Sequence, residues 1–329
     1  MAGRSYLSLQ RLRVEDVPQH PEFTTPSANA PALATFLAAA FREALAEDFE
    51  TGFTVQGSWA PTGKNIRITG LDGGHATVPV SVEQRKKGKG ENAWFARRSK
   101  HLESDVRHTE LDSLLMNDHS WWEYQYTPDL YDGNLLLEWD VKQLEEAAGS
   151  IRQELGMTDV EMRIVQMFHV LPGPLQDRVF HALALSGKQE AQSINMQIPI
   201  DYASFTAVQT IRARSRLGPQ GSAFRYNTEA NRSENREPKP TEVQKQRSGK
   251  KVTEGIYASL ERIRIITGTE PQFTQWDMMT LSNAGGLVSS VPVSMQKGQL
   301  LEAVSKDVQF VLEEVGKQRE GGKRTHSGV

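Results

Sequence analysis

The chain has 329 residues, with 38 Lys and Arg against 41 Asp and Glu, a formal net charge of -3 and no cysteine. The missing thiols exclude disulfides, Cys-ligated zinc, iron–sulfur clusters and thiol catalysis. With 38% hydrophobic residues the chain can bury a substantial core as one large domain or two small ones.

No apolar run approaches the ~18 residues of a membrane span, and the opening MAGRSYLSLQRLRVED lacks the apolar centre of a signal peptide. A cytoplasmic protein is therefore expected. Ser27–Phe49 reads as a helix, with Pro31 in its first turn and Leu33, Phe36, Leu37, Ala40, Phe41 and Ala44 at helical spacing. Extended pieces follow at Phe53–Trp59, Ile66–Leu71 and Ala76–Gln84, divided by turn signals at Pro61–Gly63 and Asp72–Gly74. Arg85–Lys89 reads as a basic hairpin tip and Ala93–His101 as a strand. Thr109-Glu-Leu-Asp112 looks like the capped start of a short helix to Asn117. After the aromatic block Trp121–Tyr126, Leu135–Leu155 reads as one helix with a break at Gly149, and Val160–Leu171, Val179–Ser186 and Ala191–Pro199 as strands.

From Gln209 to Lys251 there are eleven Lys and Arg against four Glu, a net of +7, which leaves the rest of the chain at -10. So few large apolar residues cannot offset the chain entropy of ordering, so 209–251 is expected to be a disordered basic insertion. Beyond it, Gly255–Ile266 and Gln272–Leu281 form another strand pair. Leu300, Leu301, Val304, Val308, Val311, Leu312 and Val315 make the apolar stripe of a closing amphipathic helix. The order predicts an α+β fold, one sheet wrapping a terminal helix.

Several stretches carry a resemblance: WFARRSKH (94–101), HSWWEYQYTP (119–128), LLLEWD (135–140), VEMRIVQMFHVLPGPLQDRVF (160–180), NMQIPID (195–201), YASLERIRII (257–266), SNAGGLVSS (282–290) and SKDVQFVLE (305–313). In this order they resemble the fungal DUF3074 family, a START-like group within the Bet v 1-like, helix-grip superfamily. The resemblance implies a curved antiparallel sheet around a long C-terminal helix, with a cavity between them. It implies one START-like domain over 1–208 and 252–316, followed by a flexible tail, 317–329. Two stretches depart from the pattern: LVSSVPVSMQKGQ (287–299) is more polar, and Lys142–Met157 is longer. Members of the superfamily commonly bind sterols, phospholipids or other hydrophobic molecules, and some are polyketide cyclases. The expected function is binding or transfer of a hydrophobic small molecule or lipid. The alternative is an accessory enzyme of the polyketide-cyclase or isomerase type in fungal secondary metabolism.

Such a cavity needs apolar walls and a few converging polar groups. Alternation puts Phe95, Arg97, Ser99 and His101 on one strand face. It likewise groups Glu161, Arg163, Val165, Met167 and His169, and then Tyr257, Ser259, Glu261, Ile263 and Ile265. Charges on such faces, Arg97, Arg163, Arg178 and Glu261, are cavity anchors or structural pairs such as Arg178–Glu261. Trp122, Tyr126, Tyr257 and Trp276 supply aromatic surface. His101, His169 and Glu261 are acid–base candidates, set against ordinary core packing. The candidate ligand-binding set is Arg97, His101, Trp122, Tyr126, Arg163, His169, Arg178, Tyr257, Glu261 and Trp276. His101, His108, Glu110 and Asp112 match no compact metal motif, so no metal is expected. There is no phosphate-binding loop and no nucleophile elbow, and no cofactor is expected. The basic insertion suits weak contact with anionic membrane and no specific nucleic acid, because Phe224 and Tyr226 are its only aromatics.

Overall fold

The computed structural model describes residues 4–23, 28–49, 94–116, 118–171, 176–218, 224–228, 241–268, 271–283 and 306–320. It also describes the backbone of strands at 53–59, 67–69, 75–77 and 80–85. In chain order the elements are α1 (Leu33–Ala46), β1 (Phe53–Trp59), β2 (Arg67–Thr69), β3 (His75–Thr77), β4 (Val80–Arg85), β5 (Phe95–Leu102), α2 (His108–Leu115) and α3 (His119–Tyr126). Then come β6 (Leu130–Glu138), α4 (Val141–Leu155), β7 (Thr158–His169), β8 (Asp177–Gln189), β9 (Gln192–Pro199), α5 (Tyr202–Phe205), α6 (Gln209–Arg214) and α7 (Glu242–Arg247). The chain continues with β10 (Val252–Glu254), β11 (Ile256–Ile266), β12 (Phe273–Asn283) and α8 (306–320).

Ten strands form one sheet in the order β1-β4-β5-β12-β11-β9-β8-β7-β6, with β10 added in parallel to β8. All other pairings in it are antiparallel. Because side chains alternate across a strand, the sheet has two faces. On the outer face, α1 (Phe36, Leu37, Phe41) and α4 (Leu144, Ile151) pack on Met162, Ile164, Leu183, Leu185, Ile194 and Met196. Burying each such side chain contributes about 1.5–3 kcal/mol. Arg262 fastens α1 to this face by donating to the carbonyls of Ala44 (2.7 Å) and Glu47 (3.0 Å), which the helix end leaves without intrahelical donors. On the inner face, Val308, Val311, Leu312 and Val315 of α8 join Leu111, Leu114 and Leu115 of α2. Together they pack against Phe95, Ile263 and Trp276. The expected α+β arrangement, an antiparallel sheet holding a C-terminal helix, is the one observed.

Some elements differ from expectation. Ala76–Gln84 divides into β3 and β4. Leu135–Leu155 is not one helix: Leu135–Glu138 belongs to β6, which pairs with β7, and α4 begins after Asp140. That side chain accepts from the N–H groups of Lys142 (3.0 Å) and Gln143 (3.3 Å), so the N-cap lies inside the run read as continuous. The helix passes Gly149 unbroken and stops at Gly156, whose φ of +69° suits glycine. α2 is capped from Arg107, not Thr109: Glu110 accepts the Arg107 N–H at 2.9 Å.

The basic stretch is the largest correction. Its described residues form α6 and α7, and Tyr226 is fully buried among Tyr131, Phe168, Val179 and Val252 on the outer face. The Tyr226 hydroxyl donates to Asp132 at 2.8 Å, and Arg216 lies 3.6 Å from the same carboxylate. Gln244 donates to the Tyr131 carbonyl at 3.0 Å. Composition counted few apolar residues but not the anchoring each provides. Residues 317–320, read as tail, complete α8, where Arg319 donates to both Glu110 oxygens at 2.6 Å. Residues 86–89 of the hairpin tip, the glycine turn at 284–286, the start of the last helix at 300–304, and 219–223, 229–240 and 321–329 lie outside the described residues.

Candidate functional site

Strand register assembles the inner face. Arg97 stands opposite Met278, Met278 opposite Glu261, Glu261 opposite Asn195, Asn195 opposite Ser186, and Ser186 opposite Glu161. The next row is Phe95, Thr280, Ser259, Gln197, Ala184 and Arg163. Such rows bring cross-strand side chains within about 5 Å of their neighbours. This face is therefore rich in polar groups, and Arg97, Asn195, Gln197, Ser259 and Glu261 on it are all buried.

Helix α3 closes over the face. It approaches β6 at Gly133, where a Cβ would meet the Tyr124 Cβ at 3.1 Å and the Ser120 carbonyl at 3.3 Å, so a larger residue would push the helix away. His119 and Glu123, one turn apart, point at the sheet from α3. His119 Nε2 lies 3.4 Å from Glu123 Oε2 and 3.7 Å from Glu261 Oε1. Glu261 also lies 3.8 Å from the Arg97 guanidinium and accepts the Trp276 indole N–H at 2.9 Å. The guanidinium rests 3.7 Å above the Trp276 ring, a favourable contact when desolvated.

Burial, reinforced by Glu261 and Asp307, pushes the Glu123 carboxyl up to about 8. Burial pushes Asp307 of α8 up to about 7, with Arg97 opposing and Glu261 assisting. Burial also lowers His119, although Glu261 pulls the other way. At neutral pH Glu123 thus retains its proton and the His119 ring is uncharged. Several buried polar atoms here have no hydrogen-bond partner: Arg97 Nε and Nη1, His119 Nδ1, Glu123 Oε2, Asn195 Oδ1 and Gln197 Oε1. Each such orphan costs about 1–3 kcal/mol, a burden that a bound molecule can relieve.

Beside the cluster lies a pocket of about 90 Å³ between α3 and strands β6–β9. Met116, Trp121, Leu135 and Val165 give it apolar walls, while His119, Ser186 and Asn195 connect it to the cluster. At its mouth Trp121 and Leu135 are exposed, and Arg163 is held by Glu138 (2.7 Å), Glu161 (3.2 Å) and Asp118. This space takes a small compound or one end of a larger one, since pockets for drug-sized ligands measure ~300–1,000 Å³.

Of the expected site residues, Arg97, Glu261 and Trp276 are in direct contact. Tyr126 is buried in the cluster under α8, and burial beside Glu123 raises its phenol well above the usual value. Trp122 packs partly against the same cluster. Arg163 is at the pocket mouth. Tyr257 is two residues from Ser259 on the same face, and its hydroxyl faces Met167 Sδ at 3.6 Å. His101 is turned to Ser99, 2.8 Å away, and burial, with Arg97, lowers it to about 3. His169 packs edge-on against Phe180, and burial lowers it to about 4. The expected Arg178–Glu261 pair does not form. Arg178 donates to the carbonyls of Gln176 and Asp177, and it is eight residues along β8 from Ser186, which shares the Glu261 row. At ~3.3 Å per residue that is roughly 26 Å.

His119, Glu123, Asn195, Gln197 and Asp307 were not singled out from sequence. A signal existed for four of them: His119 and Glu123 have i, i+4 spacing, and Asn195 and Gln197 alternate with Ile194, Met196 and Ile198.

The family model described as "Protein of unknown function (DUF3074)" matches residues 94–315, more than half of the chain, and the chain belongs to that family. No curated protein sequence matches it. Among solved structures it is similar to human STARD10, with 11% identity, a TM-score of 0.47, and 88% of this chain and 82% of that one covered. It is also similar to the human StarD13 (DLC2) lipid transfer and protein localization domain, with 10% identity, a TM-score of 0.38, and 71% and 83% covered. No helix among the described residues is long and apolar enough to cross a membrane.

Proposed function

We propose that the protein binds a small amphiphilic molecule, or the head of a lipid, between the inner face of the sheet and α3. The apolar part lies along Trp121, Leu135 and Val165, and the polar part is directed to the Arg97–Glu261–His119–Glu123 cluster. The carrying observation is that the pocket shares His119 and Asn195 with a buried cluster in which several polar atoms lack partners. Desolvation of the apolar part supplies the affinity, and the partnerless groups fix orientation. Native mass spectrometry of protein purified under mild conditions tests this. An adduct is expected that is lost on denaturation and absent from Ala184→Phe, in which a ring fills the pocket. A wild-type protein that binds no amphiphile at any stage would overturn the reading.

The alternative, an isomerase- or cyclase-type enzyme, draws support from His119 on the pocket wall beside two carboxyls, an arrangement suited to moving a proton. Of the three acid–base candidates, only Glu261 belongs to this cluster. Turnover of a carbonyl substrate by the wild type and none by His119→Ala would favour it. Exposed Arg212, Arg214, Arg225, Lys250 and Lys251 support weak, salt-sensitive contact with anionic membrane.

A further inference from the structure

Among the described residues, the inner face carries more carboxyls than cations. Arg97 is near Glu261 at 3.8 Å, and Arg163 is engaged by Glu138, Glu161 and Asp118. Asp307 shares Arg97 with Glu261, and Glu123 stands beyond these pairs, close enough to Glu261 for its charge to raise the Glu123 carboxyl. His119 is uncharged, and in the free protein Glu123 is held neutral by its own proton.

The orphaned atoms add a second, independent sign. Three of them are oxygens of the α3–β9 contact, Glu123 Oε2, Asn195 Oδ1 and Gln197 Oε1, left over although the Gln197 and Glu123 side chains hydrogen-bond each other. Asn195 and Gln197 are 2% and 3% exposed, so bulk water does not serve them, and Asn195 lines the pocket. A primary ammonium offers three N–H donors, one positive charge and no acceptor. It supplies the missing donors, and its charge takes the place of the proton that Glu123 holds in the free protein. An anion reaching for the free Arg97 N–H groups would sit beside Glu261 and Asp307. A neutral alcohol would bring one donor and no charge.

We infer that the ligand is an amphiphilic primary amine, whose protonated nitrogen settles among Glu123, Asn195 and Gln197 and whose apolar body extends along Trp121 and Leu135. This rests on the binding site proposed above and specifies its ligand class. Calorimetric titration of the full chain at pH 7 with octylamine, octanol and octanoate tests it. Octylamine is expected to bind at least ~10-fold more tightly than the other two, as a desolvated charge-assisted contact allows. Glu123→Gln is expected to abolish that preference, with an unchanged circular dichroism spectrum and cooperative thermal unfolding showing that the fold is kept. Octanoate or octanol binding as tightly as octylamine would overturn the amine and leave the binding site standing, as would an undiminished preference in Glu123→Gln. Binding of none of the three would overturn the site and the amine together.

Discussion

Arg163 and Ile164 are neighbours in β7, yet they belong to different chemical surroundings. Ile164 joins the outer face, where α1 and α4 complete an apolar core. Arg163 joins the inner face, where Arg97, Glu261, Asn195 and Gln197 are buried under α3 and α8. The outer face gains stability from the area it removes from water. The inner face buries groups that favour water. A sheet with one face like each can afford the second because the first is complete, and the polar face is the one suited to recognition.

This contrast can be broken or sharpened by substitution. The largest effect is expected on the outer face: Phe41→Ala should cost about 3–5 kcal/mol, as for other large-to-small core changes, read from urea unfolding. Arg97→Met should cost about 3 kcal/mol, because Glu261 is left without its cation. Adding Glu261→Gln should recover part of the loss, so the double-mutant cycle measures coupling across the inner face. A loss below about 1 kcal/mol for Arg97→Met would mean that the inner face is as wet as a surface.

A smaller effect should appear in the pH dependence. The folded Glu123 carboxyl titrates at about 8, above its value in the unfolded chain. Between roughly pH 4.5 and 8 the folded state holds a proton that the unfolded state has released, so this group lowers stability as pH rises. Glu123→Gln should be near neutral at pH 5 and should raise Tm by several degrees at pH 9, on the scale where ~1 kcal/mol moves Tm by roughly 2–4 °C. An equal effect at both pH values would place the carboxyl in water. The smallest change is expected for Tyr226→Phe on the outer face, about 1 kcal/mol for one buried hydrogen bond. Loss of protection from trypsin at 241–251 would then measure how firmly the basic stretch is docked.

The long strands were legible because their apolar residues alternate or run unbroken, as in β7, β9 and the β11–β12 pair, and α8 because its valines and leucines repeat at helical spacing. Part of the inner face was legible too, since period-2 alternation alone puts Arg97, Arg163 and Glu261 among candidate anchors. Leu135–Glu138 was misread because a short apolar run suits a strand or a helix equally, and only pairing with β7 separates them. Tyr226 and Gln244 were hidden in a basic, low-hydropathy stretch because composition averages over residues, whereas docking uses a few.

Local chemistry, then, determined the α+β class, the closing amphipathic helix and the reliance on Arg, Glu, His and aromatic groups in a chain without cysteine. Tertiary structure decided which of those groups meet. Register places Glu261 beside Arg97 and carries Arg178 far along β8, and α3 brings His119 and Glu123 over Asn195 and Gln197. The reason is that alternation assigns a residue to a face, whereas its neighbours come from other strands and from helices laid across them, contacts made between segments far apart in the chain.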